Sequence, residues 1–159
     1  MKSIKIFTCA LLATLASAAP TTRDETTEAV APKSVSVSYD PKYDVGSSSL
    51  NTVACSNGVN GLEGLGYTNF KSLPTFPLIG GAPTVKGWDS PNCGKCYRLH
   101  YTSGKISRSL HVLAIDAAPG GFNIGLNAMN QLTDGMAVQL GRVEATFVPV
   151  ADSDLNEMR

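Results

Sequence analysis

Trp88-Asp89-Ser90-Pro91-Asn92-Cys93-Gly94-Lys95-Cys96 is the stretch from which the rest of this sequence is best read. Its two cysteines are separated by Gly94 and Lys95 alone. In an exported chain they are expected to leave in different directions and staple a small barrel from one short loop. Outward from it lie Cys55 upstream and, downstream, Asp116 at the end of an apolar run. After Asp116 comes Ala117-Ala118-Pro119-Gly120-Gly121-Phe122-Asn123, a glycine-rich bend. A lone carboxylate beside such a bend is placed to meet a ligand.

The N-terminus supports export. Lys2 and Lys5 precede the apolar run Ile6 to Leu15 and the small residues Ala16-Ser17-Ala18-Ala19. A positive start, a short apolar middle and an Ala-x-Ala exit describe a secretory signal peptide over residues 1–18. The run is shorter than the roughly 20 residues a membrane span needs. Removing it takes two basic residues from a chain with 13 basic and 13 acidic ones, leaving a formal charge of −2. No basic stripe remains to draw in nucleic acid or an anionic membrane. Cys9 also departs, so four cysteines become three and at most one intramolecular bridge is expected.

Residues 19–34 are polar, with Pro20, Pro32 and four threonines among charges, and read as a disordered leader. From residue 35 to about 155 follows a single domain, with 156–159 as a tail. About 120 residues suffice to bury most of the surface that the unfolded chain exposes. Ser34 to Tyr39 alternates as a half-buried strand does. Cys96 to Tyr101 alternates too, with Tyr97, Leu99 and Tyr101 on one side. Thr102-Ser103-Gly104-Lys105 then turns the chain into the apolar strand Leu110 to Ile115. A last strand is predicted over 142–150, with Val143, Ala145 and Phe147 facing inward. Leu126, Met129 and Leu132 share one face of a short helix that Asn123 or Asn127 could start, and 68–73 reads as a further turn. Short strands between Gly- and Pro-rich turns make a mainly β sandwich or barrel.

The Cys93-x-x-Cys96 spacing is that of thioredoxin-like sites, but that motif opens a helix, whereas Cys96 here runs into a strand. Three cysteines with His100 and His111 lack zinc-site spacing, so no metal is expected. What remains is a structural bridge from Cys55 to Cys93 or Cys96, contributing about 4 kcal/mol by chain entropy. Asp is disfavoured inside strands, so Asp116 is either a turn residue or a ligand contact. Ordinary glycoside hydrolysis needs a second carboxylate about 5–9.5 Å away. Asp40, Asp44, Asp89, Asp134 and Glu144 are too scattered for the sequence to set one opposite Asp116. Of the aromatic residues, Tyr39 is suited to line a carbohydrate groove, while Trp88, Tyr97 and Phe147 are expected in the core.

Taken in order, these pieces resemble the cerato-platanin family of small secreted proteins from filamentous fungi. The matching segments are Val37-Ser38-Tyr39-Asp40-Pro41, Val53-Ala54-Cys55-Ser56-Asn57-Gly58, Phe76-Pro77 with Gly80-Gly81, Gly87-Trp88-Asp89-Ser90-Pro91 with Cys93-Gly94 and Cys96, Asp116 with Gly120-Gly121-Phe122-Asn123, and Gly141-Arg142-Val143. The resemblance implies a six-stranded double-psi β-barrel with one or two short helices, related to the expansin and barwin barrels, and no cofactor. It implies a non-catalytic protein of the fungal wall and medium that binds chitin or N-acetylglucosamine oligomers and other wall polysaccharide and self-assembles at interfaces. It also implies elicitation of plant defence, which would make a plant receptor a partner. The alternative is expansin-like loosening, or weak cleavage of polysaccharide through Asp116. Carried over by position, Cys55 pairs with Cys93, and Tyr39, Asp40, Asp116 and Asn123 form the sugar-contacting surface. Leu155 stands where the family has its fourth cysteine, so Cys96 is expected as an unpaired thiol.

Overall fold

A computed structural model describes residues 30–150 of the chain. Six strands close into one barrel: β1 (Lys33–Tyr39), β2 (Ile79–Ala82), β3 (Cys96–Ser103), β4 (Ile106–Ala117), β5 (Phe122–Ile124) and β6 (Arg142–Pro149). Their order around the barrel is β1-β5-β2-β4-β3-β6, with β6 pairing back onto β1. The pairs β1/β5 and β2/β4 are parallel and the rest antiparallel. This is the double-psi barrel expected, with the two short helices α1 (Leu126–Leu132) and α2 (Ala137–Leu140).

The alternation read in the sequence sets which side chains fill the barrel. Val37, Tyr97, Leu99, Tyr101, Val143 and Ala145 are buried, while Arg98 and Glu144 between them face out. Tyr97, Phe122 and Phe147 meet edge to face, with ring centroids 5.3–5.9 Å apart. Successive residues Val112, Leu113, Ala114 and Ile115 are all buried, because α1 and the loop carrying Cys55 cover the outer side of β4. The Cys55 amide donates to the Ile115 carbonyl at 3.0 Å, and Cys55 is bridged to Cys93 with 5.3 Å between their Cα atoms.

Several expectations shift. β1 begins at Lys33, so residues 33 and 34 of the expected leader belong to the barrel, paired with Phe147 and Thr146 of β6. β4 begins at Ile106, because the hairpin turns on Gly104 and Lys105 alone and zips from Ser103/Ile106 onward. Trp88 is 66% exposed rather than in the core. Cys96 is not the unpaired thiol expected: it is disulfide-bonded. The signal segment 1–18, most of the leader, Leu155 and the tail 156–159 lie outside the described residues.

Candidate functional site

Four adjacent strands bring Ser38, Asn123, Gly81 and Asp116 into one row. Ser38 of β1 pairs with Asn123 of β5, Asn123 with Gly81 of β2, and Gly81 with Asp116 of β4. A bulge between Gly80 and Gly81 skips Ile115, which stays buried, and brings Asp116 opposite Gly81. Ser38 and Asn123 point outward because Val37, Phe122 and Ile124 beside them point in. The Ser38 hydroxyl donates to the Asn123 side-chain oxygen at 3.3 Å. Asn123 and Asp116 thus flank a residue without a side chain, two strand spacings or about 10 Å apart. The result is a polar trough across the strands, closed at its centre by the Ala118 side chain, which fills the space over the buried Gly81.

Asp116 itself is anchored on every side. Its Oδ1 accepts from the Ala54 amide at 3.0 Å and from the Ala117 amide at 2.9 Å. Its Oδ2 accepts from the Tyr43 hydroxyl at 3.0 Å and pairs with the Lys42 ammonium at 3.4 Å. Tyr43 is held in a 3-10 turn over Pro41–Asp44, and Asp40 caps that turn by accepting from the Lys42 amide at 2.9 Å. Burial raises the Tyr43 pKa well above the usual tyrosine value, and the Asp116 charge and hydrogen bond add to it. Tyr43 is therefore a committed proton donor to Asp116. The carboxylate has four acceptor positions and four donors of the protein's own.

The other predicted residues fall close by. The Asp40 amide donates to the Ile124 carbonyl at 2.9 Å, which seats Asp40 at the end of β5 beside Asn123. Tyr39, paired with Ile124, shares the inward side with Val37, and its half-buried ring packs against the edge of the core. The structure thus gathers Asp40, Asp116 and Asn123 at one end of the barrel, while the Tyr39 ring turns toward the core. Lys42, Tyr43, Ala54 and Ser38 complete the site and were missed. Asp40-Pro41 is a readable turn signal, but contacts that span 62 to 74 positions leave no local trace.

No second carboxylate shares a hydrogen bond with Asp116 among the described residues; Asp40, capping the turn that carries Lys42 and Tyr43, is the acidic group nearest by, and its charge also reaches the Tyr43 hydroxyl. Asp44 accepts from the Leu126 amide, Asp89 from Asn60, and Asp134 from Arg108. Glu144 is exposed on β6 opposite Ser36. Arg98 and His111 are paired across β3 and β4, as are His100 and Ser109, and no group of three metal-ligating side chains occurs among the described residues.

Known proteins match both sequence and fold. The family model described as Cerato-platanin matches residues 35–156. The chain is 57% identical over 137 residues to Allergen Asp f 15 of Aspergillus fumigatus, covering 86% of this chain and 85% of that one. It is 39% identical over 110 residues to Cerato-platanin of Ceratocystis fimbriata f. sp. platani, covering 69% and 77%. Among solved structures, cerato-platanin 2 from M. perniciosa superposes with a TM-score of 0.73 at 43% identity, covering 77% of this chain and 98% of that one. The solution structure of the fungal elicitor Cerato-Platanin gives 0.64 at 36% identity, covering 77% and 98%.

Proposed function

Since the chain belongs to the cerato-platanin family, whose members are secreted fungal proteins, we propose that it binds N-acetylglucosamine oligomers of the chitin type without cleaving them. The observation that carries this reading is the state of Asp116. Its acceptor positions are taken by Ala54, Ala117, Tyr43 and Lys42, so the carboxylate is engaged within the protein rather than held out toward a glycosidic bond. Around it the trough presents the Asn123 amide, the Ser38 hydroxyl, the Asp40 carboxylate and the half-exposed Lys42 ammonium. Such a mixture of hydrogen-bond donors and acceptors suits the hydroxyl and acetamido groups of a sugar chain lying across the strands.

The signal segment and the Cys55–Cys93 bridge support secretion, and the fungal wall and medium are the proposed location. Self-assembly and elicitation of plant defence are proposed with it. The relative described as a fungal elicitor, at 36% identity, supports the latter.

Calorimetric titration with the N-acetylglucosamine tetramer, with mass analysis of the sugar afterwards, tests the reading. Saturable binding is expected, weakened about tenfold in Asn123→Ala, with the tetramer intact after prolonged incubation. Shorter products that disappear in Asp116→Ala would replace this reading with a polysaccharide-cleaving enzyme.

A further inference from the structure

The single tryptophan of the chain sits outside the core, 66% exposed. Its ring is nonetheless fixed. The indole Nε1 donates to the Asn57 side-chain oxygen at 2.7 Å. Asp89 next to it has a left-handed backbone, φ 57°, and its Oδ1 accepts from the Asn60 amide at 2.7 Å. The Asn60 side-chain amide donates to the Asp89 carbonyl at 2.9 Å. Gly58, at φ 99°, leaves room for that carboxylate, since a Cβ there would lie 2.6 Å from Asp89 Oδ1. Below these contacts the Cys55–Cys93 bridge ties the two loops together. Backbone strain and three side-chain contacts are thus committed to holding an aromatic ring in solvent.

We propose that Trp88 is a stacking platform for one sugar ring of a bound N-acetylglucosamine oligomer, a second contact point beside the Asp116 trough; this rests on the saccharide-binding reading above. With Nε1 already occupied, what the indole offers is a flat apolar face, the partner that the C–H face of a pyranose requires. At its edge the Asn57 side-chain nitrogen and Asp89 Oδ2 have no protein partner among the described residues, giving one donor and one acceptor for the rim of hydroxyls. A protein partner fits less well. The large apolar side chains exposed here are Trp88, Val59 and, in the turn that follows, Leu65, far short of the roughly 800 Å² per side of a stable interface. The loop that holds the indole also reaches the trough. Ala54 donates to Asp116, and Asn57 follows three residues later, at most about 11 Å away along the chain.

Because no other tryptophan is present, intrinsic tryptophan emission reports on this platform alone. The full protein is titrated with the N-acetylglucosamine tetramer while Trp88 emission and the Asn123 amide resonance are followed together. The proposal expects both to move with one saturation curve, and expects Trp88→Ala to weaken binding about tenfold with unchanged thermal unfolding, Trp88→Phe much less. Movement of Asn123 with constant emission, or wild-type affinity in Trp88→Ala, overturns the platform and leaves the proposed function standing. Changed emission with a silent Asn123 keeps the platform and removes the trough. No response from either overturns both.

Discussion

Asp116 shows what one side chain can do for this barrel. Its carboxylate joins the turn after β1, the loop carrying Cys55 and the end of β4. Asp116→Ala leaves the Ala54 amide and the Tyr43 hydroxyl without an acceptor and is expected to cost about 3 kcal/mol in denaturant unfolding; Asp116→Asn, which keeps an acceptor, costs about 1 kcal/mol. Wild-type stability in the alanine variant would show that the residue is no brace. Tyr43 adds a pH dependence. Its folded pKa lies above the unfolded value of 10.0, so the folded state holds its proton more tightly. That contribution is complete below about pH 10 and is lost as pH rises through the folded value. Burial raises Tyr97 in the same sense, although its bond from Thr84 works against the shift. Tyr43→Phe is therefore expected to flatten, without abolishing, the fall in unfolding free energy between about pH 9 and 11. An unchanged slope would contradict the assignment.

Helix α1 illustrates what local sequence reveals and what it conceals. The spacing of Leu126, Met129 and Leu132 marks its buried face, and the two last are fully buried. Its cap was expected from Asn123 or Asn127. Instead the N-cap residue is Gly125, and Asp44, 82 positions away, accepts from the Leu126 amide at 2.7 Å. A side chain at residue 125 would displace that carboxylate, since a Cβ would lie 2.7 Å from Asp44 Oδ1. Asp44→Ala should cost about 1 kcal/mol by thermal or chemical unfolding, Asp44→Asn distinctly less. Strand β2 depends on glycine in another way. A Cβ at Gly80 would run into the Asn123 carbonyl of β5, so Gly80→Ala should destabilise by about 2 kcal/mol or more and disturb the Asn123 amide resonance. Period and turn chemistry are local and were readable for β1, the β3–β4 hairpin and β6. Trp88 was misread because composition favours burying tryptophan, while its exposure depends on Asn57, 31 positions earlier.

The closed order β1-β5-β2-β4-β3-β6 joins strands far apart in sequence, and its parallel pairings carry no periodic signal of their own. The barrel was legible through the segments shared with a family, and so was the Cys55–Cys93 pairing. The bridge closes a separation of 38 residues and is expected to contribute about 2–4 kcal/mol, measurable as the loss on replacing both cysteines by alanine. The candidate site was legible as residue types, Asp40, Asp116 and Asn123, but not as a trough, because Asn123 and Asp116 share one row only once β2 lies between β5 and β4.

On this account the fold supplies a rigid polar surface whose aspartate is spent on architecture, leaving its neighbours to hold a glycan unbroken. Amide resonances followed during titration with the N-acetylglucosamine tetramer test that most directly. Signals of Ser38, Asp40, Gly81 and Asn123 should shift together and saturate; a ligand that binds while those four stay fixed would contradict it.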